Sequence, residues 1–131
     1  GASEVPAAST QATLEDILNA QKAAQKVFVD DRIRGYTVDI VTATRNPSAY
    51  QCAELNNLID NGASVRASIN LIKLSKAQAL LDGRDYVSPH DIKTLAKDVL
   101  RHRIALSYEA EAQGKTADDI IAHILDRIEV P

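Results

Sequence analysis

This sequence predicts an all-α fold, a compact bundle of about four to five helices with short extended connectors. Three observations lead there. Ala, Leu, Ile and Val recur at spacings of three and four, the period of a helix rather than a strand. Hydrophobic residues make up 45% of the 131, yet there is no Trp, one Phe and four Tyr, so the core must be aliphatic. Capping residues and the four prolines sit where the periodic stretches begin or stop. The length suits one domain and is short for two.

Residues 1–12 are rich in Ala, Ser and Thr without periodicity and read as a linker. Gly1-Ala2-Ser3 has the composition of a cloning remnant and no Met occurs anywhere, so an excised piece of a longer protein is expected. The folded domain is expected over 13–131. Thr13-Leu14-Glu15-Asp16 follows the capping-box pattern, and Leu14, Ile17, Leu18 and Gln21 give a first helix a modest apolar face as far as Gln25. Val27-Phe28-Val29 is extended. Asp30 caps a second helix with Asp31 in its first turn; Ile33, Tyr36, Ile40 and Val41 face inward, and Pro47 stops it after Arg45-Asn46. Residues 46–61 form a long connection in which Leu55, Leu58 and Ile59 suggest one helical turn packed on the surface.

The central helix is expected over about 64–82, after a turn at Asp60-Asn61-Gly62. Val65, Ile69, Ile72 and Leu80 share one stripe, with Leu71, Leu74, Ala77 and Leu81 beside it. Ser64 is read as its N-cap, and Gly83 takes the left-handed conformation that ends a helix. A short connector over 84–87 leads to Ser88-Pro89-His90-Asp91, the clearest helix start in the chain. Ile92, Leu95, Ala96, Val99 and Leu100 form that helix's apolar face, and Arg101-His102-Arg103 suits its negative end. Ile104-Ala105-Leu106-Ser107 is extended and is expected to pair with Val27 to Val29 or with Val87. Thr116-Ala117-Asp118-Asp119 caps the last helix, whose face is Ile120, Ile121, Ile124, Leu125 and Ile128.

Several chemistries are excluded or left without support. The net charge is −3 and no basic stripe is present, so no nucleic-acid partner is expected. No apolar run approaches the ~20 residues of a membrane span, so no membrane insertion is expected, and no signal-peptide pattern opens the chain. Cys52 is alone, which rules out an internal disulfide and fits a reducing cytoplasm. His90, His102 and His123 lack metal-ligand spacing, so no metal site is read. Gly114-Lys115-Thr116 imitates the end of a P-loop, but Glu109 stands where the first glycine belongs; Gly114 is read as a turn and Thr116 as a cap. No catalytic residue is assigned within the chain.

Arg66 breaks a local rule. A cation in a helix's first turn opposes the macrodipole at a cost of about 0.3–1 kcal/mol. Taken alone it reads first as a surface arginine reaching solvent or a carboxylate, and otherwise as a phosphate receptor beside free amides. A family resemblance carried by the surrounding residues shifts the weight to the second. Gly62-Ala63-Ser64-Val65-Arg66-Ala67-Ser68, followed by Ala79-Leu80-Leu81-Asp82-Gly83-Arg84-Asp85-Tyr86-Val87, resembles the C-terminal lid domain of MoxR-type AAA+ ATPases. The usual family motif is G-A-S-P-R-A, with Val65 here in place of the proline. The stretches 29–45 and 99–104 and the end of the chain resemble the same lid, so the resemblance runs from about residue 13 onward.

The resemblance implies the following. Arg66 is the sensor 2 residue that meets the phosphates of ATP, with Gly62, Ala63 and Ser64 supporting the helix start and Tyr36 a candidate adenine contact. ATP with Mg is held mainly by a preceding P-loop domain absent from this chain, so nothing is expected to bind tightly to this piece alone. The partners implied are that N-terminal core domain, neighbouring subunits of a ring (a hexamer by family habit) and von Willebrand factor A proteins. The activity implied is chaperone-like remodelling or maturation of protein complexes in the cytoplasm. Two other readings stay open from the residues: a free-standing helical protein–protein interaction module, and a histone-like or helix-turn-helix nucleic-acid binder built on 88–103, against which the acidic balance weighs.

Overall fold

In the computed structural model residues 14–131 are described; the 1–12 linker and the Thr13 cap lie outside the described residues. Six helices occur among them: α1 (Leu14–Gln25), α2 (Asp31–Arg45), α3 (Arg66–Leu81), α4 (Pro89–Leu100), α5 (Tyr108–Ala112) and α6 (Ala117–Arg127). Local chemistry sets most of their ends. The Asp30 side chain accepts from the Arg32 amide to start α2. Ser88 and Thr116 each complete a reciprocal capping box, with Asp91 and Asp119, at the heads of α4 and α6. Gly83 and Gly114 have φ of +78° and +72° and terminate α3 and α5. At both, the next residue's amide reaches back five positions, Arg84 to the Ala79 carbonyl and Lys115 to that of Ala110, which is the Schellman closure.

Helix α3 packs against α1, α2 and α4, while α6 closes the bundle against α2 and α4. Ile40, Leu71, Ile92, Leu100, Ile120, Ile121 and Ile124 are fully buried where these helices meet, so the core is aliphatic as the composition requires. The inward face of α3 differs from the expected stripe. Ala67, Ser68, Leu71, Ile72, Ser75 and Ala79 are buried, whereas Val65, Ile69, Leu74 and Leu81 are exposed. Small residues allow α3 to lie close to its neighbours, and a helix apolar over so wide an arc offers more than one face for burial.

The connections hold two further corrections. Residues 46–61 do not form a surface turn. They make two 3₁₀ turns, Pro47–Tyr50 and Ala53–Leu55, then strand β1 (Ile59–Asn61), and they bury Cys52, Leu55 and Leu58 in the core. The stretch after α4 does not pair with Val27 to Val29. Strand β2 (Ala105–Leu106) pairs antiparallel with β1, Ile59 opposite Leu106 and Asn61 opposite Ala105. The other bracket joins Phe28 to the connector after α3, with the Phe28 amide donating to the Asp85 carbonyl at 2.8 Å and the Val87 amide to that of Phe28 at 2.9 Å.

Candidate functional site

Arg66 is the first residue of α3, exposed, and its side chain has no ion pair or hydrogen bond among the described residues. No acidic residue lies in the first turn of that helix to balance it. The expected N-cap is not where the sequence suggested: Val65 occupies that position, already in the right-handed helical region (φ −60°, ψ −21°), and no side chain caps the helix. Ser64 instead supplies its carbonyl to the Ala67 amide at 2.9 Å, and Val65 supplies its own to Ser68 at 3.0 Å. These tight turns occupy amides that a ligand would otherwise find free. What the mouth of α3 offers an anion is therefore chiefly the Arg66 guanidinium.

The loop that carries Arg66 is fastened to the end of α2. The Thr44 hydroxyl donates to the Val41 carbonyl and accepts from the Ala63 amide at 2.9 Å, so this fully buried group is satisfied on both sides. Arg45 donates to the Ala63 carbonyl at 2.6 Å. Ala63 itself is 1% exposed. Gly62 passes so close to α2 that a Cβ there would lie 2.7 Å from the Arg45 amide nitrogen and nearer still to the Thr44 carbonyl. That close approach is the physical reason for glycine at the head of the motif. Sequence reasoning assigned Arg45 only to its own helix end and passed over Thr44. A threonine among Ile40, Val41 and Ala43 on an inward face was the available signal, because a buried hydroxyl needs a partner.

Tyr36, the candidate adenine contact, lies in the core. It is 3% exposed and its hydroxyl is buried without a hydrogen-bond partner, so the ring packs among the core residues and is not open at the surface of this chain. The histidines are dispersed: His90 bonds Thr94, His123 pairs with Glu54 at 2.7 Å, and His102 is exposed. Burial, with the nearby charge of Glu54, raises the Cys52 pKa, which makes that thiol a poor nucleophile.

A second charged cluster sits at the other end of α3. The Arg84 guanidinium grips Asp91 with two bonds, 2.7 and 2.8 Å, and reaches Asp82 at 2.9 Å. Asp91 also accepts from the Ser88 amide at 2.8 Å. Burial by itself would raise the Asp91 pKa, but Arg84 and the Ser88 hydrogen bonds outweigh it and hold the carboxyl below its usual value. This cluster is a joint between α3 and α4; every group in it is engaged within the chain.

Comparisons with known proteins agree with the fold. Residues 55–124 match the AAA lid domain family, more than half of the chain and including the whole of α3 and α4. The chain is 36% identical over 116 residues to the chaperone MoxR1 of Mycobacterium tuberculosis, covering 88% of this chain and 31% of that protein. It is 40% identical over 117 residues to the uncharacterised protein YeaC of Bacillus subtilis, covering 89% and 34%. A crystal structure of a candidate ATPase from Cytophaga hutchinsonii superposes with a TM-score of 0.86 at 41% identity, over 89% of this chain and 36% of that one. The chain thus spans about a third of the length of these relatives. A bundle of this helical order, matched along most of its length, belongs to the AAA lid-domain family and is a lid of the MoxR type.

Proposed function

We propose that this lid closes over ATP and Mg²⁺ held by an N-terminal P-loop domain of the same protein, and that Arg66 reads the β- and γ-phosphates. The observation that carries the reading is the unpaired, exposed guanidinium at the first residue of α3. A cation placed against the helix dipole, with no carboxylate beside it, is locally unfavourable unless an anion arrives from outside. The clamp of Thr44 and Arg45 on Ala63 supports the reading, because a sensing side chain must be mounted on rigid backbone.

A charge-assisted contact to the triphosphate is present before hydrolysis and altered after it. The difference biases the angle of the lid and passes nucleotide state to the neighbouring subunits of a ring, a hexamer in this reading. The work done is chaperone-like remodelling or maturation of protein complexes, with von Willebrand factor A proteins as partners, in the cytoplasm. A cytoplasmic setting is supported by the single buried cysteine, and no helix among the described residues is long and apolar enough to cross a membrane.

The test is Arg66→Ala in the full-length protein. ATP turnover is expected to fall about tenfold or more, as for loss of a transition-state contact, while the helical signal and unfolding midpoint hold. Arg66→Lys, which keeps charge but loses the planar fork, is expected to fall between the two. Turnover unchanged in Arg66→Ala would remove the sensing role.

A further inference from the structure

A groove of about 640 Å³ runs between α3 and α4, two turns along α3 from Arg66. Its apolar lining is Leu74, 48% exposed, and Val99, which is buried. Lys73, His102 and Arg103 stand around that lining, all exposed, and Lys73 and Arg103 have no ion pair among the described residues. One carboxylate, Asp98, stands on the rim and shares Arg101 at 3.3 Å with Asp118, which holds that guanidinium by two shorter bonds. Helix α3 contains no acidic residue along its whole length, so nothing on that wall competes for the cations.

We propose that this groove binds an acidic peptide segment carrying an apolar side chain. The apolar side chain covers Leu74 and Val99, and flanking carboxylates meet Lys73 and Arg103; charge sets the orientation and the apolar lining holds the anchor. The same cations could attract a nucleic-acid backbone, but the features around them argue against it. No aromatic ring lines the groove for a base to stack on. The proposal does not rest on the role given to Arg66.

The probe is a fluorescently labelled peptide with leucine set among aspartate and glutamate, followed by anisotropy with the intact protein. Two further probes are the same peptide with serine for leucine and an oligothymidylate of matched charge. Saturable binding of the leucine peptide is expected, weakened about tenfold or more by Lys73→Glu with Arg103→Glu. Leu74→Ser is expected to weaken it too, and the serine peptide to bind less well. These residues are exposed, so the variants keep the bundle; the helical signal checks this directly. Absence of saturable binding overturns the proposal, as does binding indifferent to the variants or an equal affinity for oligothymidylate. Sedimentation that shows the variants abolishing self-association, with peptide binding intact, overturns it in favour of a second copy in the groove.

Discussion

The starts of α3 and α4 lie at opposite ends of α3 and are built on opposite terms. At α4, Ser88 caps, Pro89 sets the first φ, and Asp91 both closes the capping box and takes a two-pronged grip from Arg84. At α3, no side chain caps, no carboxylate meets the dipole, and an arginine with no partner occupies the first position. The first start contains nearly everything that stabilises a helix end from within the chain. The second omits those devices and is held instead by backbone fastening to α2. The difference teaches where to look for function: a helix end finished from inside serves the fold, and one left open is the place to test for an outside charge.

The contrast can be broken most strongly at Asp91. Asp91→Asn removes the charge from a carboxyl that is 3% exposed and leaves Arg84 underpaired; a loss on the order of 2–3 kcal/mol is expected, discounted because Arg84 keeps Asp82 and some solvent. Urea denaturation measures it. The same residue dictates a pH dependence. With its folded pKa held below the unfolded value, Asp91 contributes stability that is complete above about pH 4 and is lost as pH falls through the lowered folded value. The acid limb of the stability profile should therefore flatten in Asp91→Asn, and an unaltered limb would assign acid unfolding elsewhere.

Gly62→Ala sharpens the comparison at α3. The added methyl meets backbone of Thr44 and Arg45 that cannot swing aside, so a loss of about 1–3 kcal/mol is expected in the unfolding midpoint. Thr44→Val keeps the shape and strands the Ala63 amide, for a loss of about 1–2 kcal/mol. In the full-length protein it should also reduce ATP turnover if the mount of Arg66 matters; a stability loss alone would limit Thr44 to the fold. The smallest effects have the opposite sign. Val65→Pro places proline where φ is already −60° and should raise stability by about 0.4–1 kcal/mol. Arg66→Ala should be neutral or stabilising by about 0.3–1 kcal/mol in thermal unfolding, since it removes a cation opposed to the dipole.

Much of the fold was legible because its signals are local. The caps at Asp30, Ser88 and Thr116 and the turns at Gly83 and Gly114 each need only a few neighbouring residues, and all are present. Legibility ended where partners are distant. Ser64 carried the right residue type for a cap, but the fastening of Ala63 to α2 lets the helical backbone begin at Val65 and leaves the hydroxyl outside that role. Periodicity marked α3 as apolar on a broad arc, and only packing chose Ala67, Ser68, Leu71 and Ser75 over Val65 and Ile69 for the interior. Arg66 was singled out by its place in the motif; that it stands free was visible only with its surroundings in position.

By itself the sequence determined α1, α2, α3, α4 and α6, most of their ends, an aliphatic core and the motif that carries Arg66, because those depend on spacing and on groups within a turn of one another. Tertiary structure alone decided which faces are buried and that Tyr36 belongs to the core. It also decided that Thr44 and Arg45 hold the loop that carries Arg66, that β1 finds β2, and that a groove with unpaired cations lies open between α3 and α4. Those outcomes depend on contacts between residues far apart in the chain, and burial assigns them only when all the helices compete for the same core at once.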